Sequence, residues 1–387
     1  MSSLEYNLPE LLVDIKDGVI DLGWGHPSPY LHPLEQMEHA SEKLFNLEST
    51  TPLQYGAAQG YGPFLENLAM FLSNQSMYTG TVSPLDLFLT AGASQGIDLA
   101  CTLFAEAGDT VCVEEPTYFV IERILQDHHL NISGIPIDSE GIVISDFRKK
   151  LESGLKPKFI YTIPTFQNPT GISLSVERRK QLVLLAEEYD FYIFADEVYQ
   201  LLDFDVETPS SLINFDKSDR VIEFGSFSKI LAPGLRTGWI HSSQKIISLF
   251  KNAALTFSGG GFNHFTSVLI SNFIELGYLG KNIDFLKKIY AERAKIMGDA
   301  LLENFGDSIS FIYPQGGFYY WLEFTKNIDA EKFLPLAERH GVSFRPGNVF
   351  STSDTFRSNL RLTYALYDSN NLVEGITRLA KAYREYK

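Results

Sequence analysis

The sequence predicts an α/β protein: a large domain built on a mainly parallel sheet, followed by a smaller α+β domain. Three observations carry this reading. Between about residues 85 and 241, short β-rich runs alternate with helical patterns, as parallel strands joined by crossover helices do. Several of those runs are almost wholly apolar, which suits strands covered on both faces. After about residue 275 the pattern changes to longer helical stretches around short strands.

Taken in order, residues 1–50 come before the first strong strand, and Gly23-Trp24-Gly25-His26-Pro27 reads as a turn. This segment is expected to pack with the C-terminal domain and to lend residues to a cleft. Residues 51–275 are expected to form the large domain, with strands at 85–90, 110–114, 159–163, 191–195, 221–224 and 237–241. Helices are expected between them at 94–104, 119–127 and 175–189, the last with apolar residues at helical spacing and Glu, Arg and Lys opposite. Residues 276–387 are expected to form the small domain, with helices at 290–305, 330–340 and 371–386 around strands at 317–323, 341–344 and 359–364. No internal repeat, low-complexity tract or long linker interrupts the chain.

Composition narrows the function. The chain has 387 residues, 44% hydrophobic and 21% charged, the ordinary range for a globular enzyme with more than one core. Its 32 Lys and Arg stand against 48 Asp and Glu, and the resulting charge of −16 repels phosphate backbones and anionic lipid, so neither nucleic acid nor a membrane surface is an expected partner. The two cysteines, Cys101 and Cys112, read as buried free thiols in a reducing compartment. No leader-like segment opens the sequence and no window has the apolar length of a membrane span, so a cytoplasmic location is expected. The eight histidines show no metal-ligand spacing, and no metal is expected.

The chemistry concentrates at Gly225-Ser226-Phe227-Ser228-Lys229, followed by Arg236. A lysine amine condenses with an aldehyde, and hydroxyls with an arginine hold a phosphate, so the run suits a phosphorylated aldehyde cofactor. In an open parallel sheet such ligands gather beyond the carboxyl ends of the strands, where the remaining candidates also fall. Ala93 and Ser94 follow one strand and open a helix, whose N–H groups would face an anion. Asp196 ends another strand, placed either to pair with a protonated pyridine nitrogen or to cap a helix. Tyr199 is spaced to reach a ring oxygen, as is Asn168 in the turn Asn168-Pro169-Thr170-Gly171, and Tyr118 to stack on a planar ring. Arg361 alternates with apolar neighbours in its strand, so it meets either a substrate carboxylate or one of the acidic side chains.

The set of Asn168-Pro169-Thr170-Gly171, Asp196-x-x-Tyr199, Ser226-x-Ser228-Lys229 with Arg236, and Arg361 closely resembles the class I/II pyridoxal phosphate (PLP)-dependent aminotransferases of fold type I. The resemblance runs from about Gly25 to the C-terminus. It implies that Lys229 holds the cofactor covalently and that Asp196 pairs with the pyridine nitrogen. Asn168 and Tyr199 would bind the ring oxygen and Tyr118 would stack on the ring. The phosphate would sit among Ala93, Ser94, Ser226, Ser228 and Arg236, and Arg361, Asn168 and Gly25 would meet the substrate.

The resemblance also implies a homodimer in which Tyr55, in a Tyr-Gly turn, reaches the partner's phosphate. Ala93 departs from the family in lacking a hydroxyl, and Ser258-Gly259-Gly260-Gly261 is unusually rich in glycine. Trp24, Tyr30, Phe257, Phe318 and Tyr319 lean toward a bulky substrate of the aromatic, kynurenine or 2-aminoadipate type, while His26, His264 and Arg345 are candidates to meet a polar or acidic one. A PLP-dependent lyase or decarboxylase on the same fold, or a PLP-binding regulator without catalysis, remains as an alternative.

Overall fold

The computed structural model describes residues 10–45, 49–326 and 328–386. In chain order its elements begin with β1 (Ile20–Asp21), α1 (Leu34–Phe45), α2 (Gly62–Ser73), β2 (Leu87–Thr90), α3 (Ala93–Phe104), β3 (Thr110–Glu115) and α4 (Phe119–Asp127). They continue with β4 (Asn131–Asp138), β5 (Gly141–Ile142), α5 (Ile144–Glu152), β6 (Phe159–Thr162), α6 (Val176–Tyr189), β7 (Tyr192–Asp196), β8 (Val221–Ser226) and β9 (Gly238–His241). Then follow α7 (Gln244–Lys251), α8 (Ala254–Gly259), α9 (His264–Glu275), α10 (Tyr278–Phe305), β10 (Ile309–Ser310) and β11 (Tyr319–Phe324). The last are α11 (Ala330–Arg339), β12 (Val342–Ser343), β13 (Arg345–Pro346), β14 (Asn359–Thr363) and α12 (Ser369–Tyr386).

The eight-stranded sheet runs β2-β9-β8-β7-β6-β3-β4-β5. Its central strands are buried on both faces, and alternation of side chains divides them between two cores. Phe159, Tyr161 and Phe194 join one core, while Ile160, Ile193 and Ala195 join a second core beneath α5 and α6. The pairs β3–β4, β3–β6, β6–β7 and β7–β8 are parallel. The carboxyl ends of these strands share one edge, and the loops of the site leave from it. Locally, Ser175 caps α6 by accepting from the Arg178 N–H, and Asp190 ends the helix in the left-handed region.

The structure departs from the sequence reading at several elements. The strand near 237–241, expected in the parallel set, runs antiparallel to both neighbours, since the link from β8, residues 227–237, holds no crossover helix. Strand β4 was not foreseen. It is half-exposed and carries Gly134 and Pro136, which mask its pattern. The helix expected from residue 290 begins at Tyr278, with Leu279, Ile283 and Leu286 buried ahead of Tyr290. Helices α1, α2, α5, α7, α8 and α9 were also not anticipated.

A second sheet, β10-β11-β14-β13, is wholly antiparallel and lies with α10, α11 and α12. The strand expected at 341–344 does not belong to it as one piece. Val342–Ser343 pairs in parallel with β1, tying the N-terminal segment to the C-terminal elements, and only the short strand β13, at 345–346, joins β14. Helix α1 packs instead on α9. No helix among the described residues is long and apolar enough to cross a membrane, and none of their His, Cys, Asp and Glu clusters suits a metal ion.

Candidate active site

Lys229 sits in the turn that follows β8, and its Nζ donates to the Gly25 carbonyl at 2.8 Å. The ammonium also lies 5.6 Å from the Phe318 ring centre. Burial lowers its pKa to about 8, the nearby Arg361 charge adds to this, and Asp196 opposes it. A lysine so placed keeps an appreciable neutral fraction near neutral pH.

Asp196 ends β7 on the same edge. The residues after it form a turn, so it caps no helix. Its Oδ2 accepts from the Tyr161 hydroxyl at 2.7 Å, while its Oδ1 is buried without a hydrogen-bond partner among the described residues. Burial raises its pKa to about 6, against the Tyr161 hydrogen bond and the Lys229 charge. A buried carboxylate oxygen with no partner is costly unless a cation or donor meets it. The sequence reading missed Tyr161; its one signal was a phenol in a strand of buried residues, which demands a partner when buried.

The anion cradle forms where three loops meet. Ser226 Oγ accepts from the Ser228 N–H at 3.1 Å, and Ser228 Oγ accepts from Arg236 Nη1 at 3.3 Å. Gly92, at φ +91°, precedes α3, and a Cβ there would lie 2.7 Å from Arg236 Nη2. Only glycine lets the guanidinium approach the helix start, where the N–H groups of Ala93 and Ser94 lack intrahelical acceptors. The phosphate, aldehyde and pyridine nitrogen of PLP each meet suitable chemistry here: the cradle, the Lys229 amine and the open Asp196 Oδ1.

Arg361 lies in β14 and is 2% exposed. Its Nη1 donates to Asn168 Oδ1 at 2.8 Å and its Nη2 to the Gly23 carbonyl at 2.6 Å, while Nε has no partner among the described residues. None of these contacts is a carboxylate, so among the described residues Arg361 has no structural ion pair, the alternative left open by the sequence. The guanidinium packs over Tyr319, 4.3 Å from the ring centre, and Phe350, at 4.9 Å. The Tyr319 hydroxyl bonds the Tyr199 hydroxyl at 2.9 Å. It also explains Gly25, because a Cβ there would lie 2.1 Å from it. Tyr118, at the start of α4, has its phenol pKa pushed up by burial first, with Tyr319 and Asp196 nearby adding to this.

Not every expected residue gathers here. Tyr55 is 89% exposed, and Tyr30 and Phe257 also lie open on the surface of the chain. His264 is held elsewhere, by the Thr51 carbonyl and the edge of Tyr61. Phe318 and Tyr319 line the site as expected, and Trp24 and His26 flank it through the Gly25 turn.

Comparison with known proteins agrees with this geometry. The pattern of the family described as "Aminotransferase class I and II" matches residues 17–379. The aromatic-amino-acid aminotransferase 1 of Thermococcus litoralis is 33% identical over 97% of this chain and 90% of its own length. The kynurenine aminotransferase structure of Pyrococcus horikoshii superposes with a TM-score of 0.89 at 33% identity, covering 95% of this chain and 91% of that one. The α-aminoadipate aminotransferase of Thermus thermophilus superposes at 0.86 with 27% identity, covering 95% and 93%. The fold, the strand-end loops and a match spanning most of the sequence lead to one conclusion: this chain belongs to the class I and II aminotransferases.

Proposed function

We propose that this protein is a homodimeric, cytoplasmic, PLP-dependent aminotransferase that moves the amino group of a bulky L-amino acid, of aromatic, kynurenine or 2-aminoadipate type, to a 2-oxo acid. The observation that carries it is the pairing of a lysine of lowered pKa with a buried aspartate whose Oδ1 has no protein partner among the described residues. When bound, PLP supplies an electron sink for the carbon beside the substrate nitrogen. The protein's residues do the rest.

Asp196 holds a positive charge at the pyridine nitrogen, and Tyr161 orients the carboxylate that does so. Ser226, Ser228, Arg236 and the start of α3, with Ala93 and Ser94, hold the phosphate. Asn168 and Tyr199 reach the ring oxygen and Tyr118 covers the ring. Arg361 takes the substrate α-carboxylate with its fork, its planar head already set by Asn168 and Gly23. Lys229 Nζ removes the Cα proton as a base and delivers it again as an acid, a role that a pKa of about 8 suits. Phe318 and Tyr319 supply apolar contact for a bulky side chain. The named activities of the Thermococcus, Pyrococcus and Thermus relatives support the substrate class.

The surface supports the dimer. Tyr30, Leu34, Phe45, Leu53, Tyr55, Leu255 and Phe257 are all exposed, α1 and the turn at 51–53 both pack on α9, and Tyr55 follows that turn by two residues, so apolar side chains stand open near the position expected to reach a partner. Two buried cysteines with no disulfide suit a reducing compartment.

The test is spectroscopic. Purified protein loaded with PLP should show a visible band that bleaches on adding aromatic amino acids or 2-aminoadipate and returns with a 2-oxo acid. Lys229→Ala should abolish turnover and the covalent adduct trapped by borohydride. Release of ammonia or CO2 in place of amino-group exchange, or a band indifferent to every amino acid, would overturn the reading in favour of a lyase or a regulator.

A further inference from the structure

Strands β13 and β14 place Arg345 directly opposite Arg361. Directly opposed residues project from the same face, and like charges so placed repel each other. Arg361 has its fork committed to Asn168, Gly23 and, on the proposed function, one substrate carboxylate. Arg345 makes no hydrogen bond and no ion pair within 4 Å among the described residues.

Arg345 is held by packing instead. Its guanidinium lies 5.1 Å from the Trp24 ring centre, and its stem runs past Gly23. Trp24 in turn meets His26 edge to face at 5.3 Å. Both Trp24 Nε1 and His26 Nδ1 are buried without partners among the described residues. Asp21, a carboxylate that feels the Arg345 charge, is engaged at Oδ1 by the Gly23 N–H at 2.8 Å and makes no ion pair with Arg345 within 4 Å.

Burial brings the His26 pKa down to about 4, and the charges of Lys229, Arg361 and Arg345 add to this. The turn therefore faces a cluster of cations and two unused ring nitrogens, and among the described residues no carboxylate lies within ion-pair distance of Arg345 or Arg361. One carboxylate satisfies Arg361. A second is needed beside it.

We infer that Arg345, with Trp24 Nε1 and His26 Nδ1, forms a distal subsite that binds the second carboxylate of a dicarboxylic substrate or 2-oxo acid while Arg361 holds the first. This rests on the aminotransferase reading and adds the residues that select one of its two substrates. Opposed positions put the two Cβ atoms about 4.5–5.5 Å apart, so both guanidinium groups serve the ends of one short diacid. The aromatic wall of the same space still accepts a bulky side chain, and stacking on Trp24 keeps the Arg345 head from closing over it.

The experiment compares matched pairs on the PLP-loaded enzyme. Calorimetry with glutarate and with pentanoate reads binding without turnover, and kcat/KM for 2-oxoglutarate and 2-oxopentanoate reads it in the reaction. Wild-type protein should favour the diacid in both by at least about tenfold, and Arg345→Met should cut that preference by about 10- to 100-fold, the range for losing a hydrogen bond to a charged group. Arg345→Lys should restore part of it, and His26→Leu, which spares the arginine, should lower it by a few-fold if Arg345→Met does not fold. No preference in the wild type, or equal weakening of both partners of each pair in the variants, would overturn the subsite. The visible band and its response to amino acids report separately on the aminotransferase reading, so a missing diacid preference with an intact band condemns only the subsite.

Discussion

Replacing Asp196 with asparagine should make the cofactor-free protein more stable near neutral pH while weakening the cofactor. The carboxylate is buried, its Oδ1 meets no donor among the described residues, and burial lifts its pKa from 3.8 to about 6. A folded-state pKa above the unfolded value means that the folded protein binds the proton more tightly. The stability that this one carboxyl contributes is therefore fully present below about pH 4 and is lost as the pH rises through about 6. The gap of roughly two units, at about 1.4 kcal/mol each, makes the ionised carboxylate cost about 3 kcal/mol at pH 7.5.

Asparagine removes the charge and still accepts from Tyr161, but leaves an amide donor buried without a partner, at a cost of about 1–3 kcal/mol. The net gain for Asp196→Asn should be about 0–2 kcal/mol at pH 7.5 and should turn into a loss of about 1–3 kcal/mol near pH 4, where wild-type Asp196 is already protonated and only the unpaired amide counts. Urea unfolding of both apoproteins, at one protomer concentration and across pH 4–8, measures this. A pH-independent difference, or an asparagine variant less stable at pH 7.5, would refute the reasoning. The loaded proteins should rank the other way, because a neutral amide holds a pyridinium poorly.

Three further outcomes are expected. Gly25→Ala places a methyl 2.1 Å from the Tyr319 hydroxyl, so the Tyr199–Tyr319 contact should break and kcat/KM should fall about 100-fold with the far-UV spectrum unchanged. Arg361→Leu should raise KM for every amino acid by about 10- to 100-fold, and it leaves Asn168 Oδ1 and the Gly23 carbonyl unpaired, so a loss of about 1–3 kcal/mol in unfolding free energy should accompany it. Cys101 and Cys112 are buried and their thiols are pushed up to about 12. Neither should react with a thiol reagent at pH 8 until the protein unfolds, and fast labelling of the native protein would contradict their burial.

Much of the site was legible because its residues sit where local sequence says they must. Lys229, Asp196, Asn168, Tyr118 and the Ala93–Ser94 helix start each follow a strand with an apolar pattern, and a parallel sheet gathers such ends at one edge. The residue types then declared the chemistry: an amine, a carboxylate, hydroxyls and a guanidinium. The fold class followed from alternation of strand and helix patterns, which is local too.

What tertiary structure alone decided is how distant segments answer one another. Arg361 was readable as a buried cation. That its fork rests on Asn168 and on a carbonyl 338 residues earlier in the chain was not, since a backbone acceptor leaves no mark in sequence. Tyr161 became a partner of Asp196 through the pairing of β6 with β7. The direction of β9, the split of residues 341–346 between two sheets and the opposition of Arg345 to Arg361 are matters of register, and register depends on which strand lies alongside. Sequence determined which chemical groups this protein owns and near which strand ends they lie. Only the packed structure decided which of them are left unpaired, because an unpaired buried charge is a property of its neighbours.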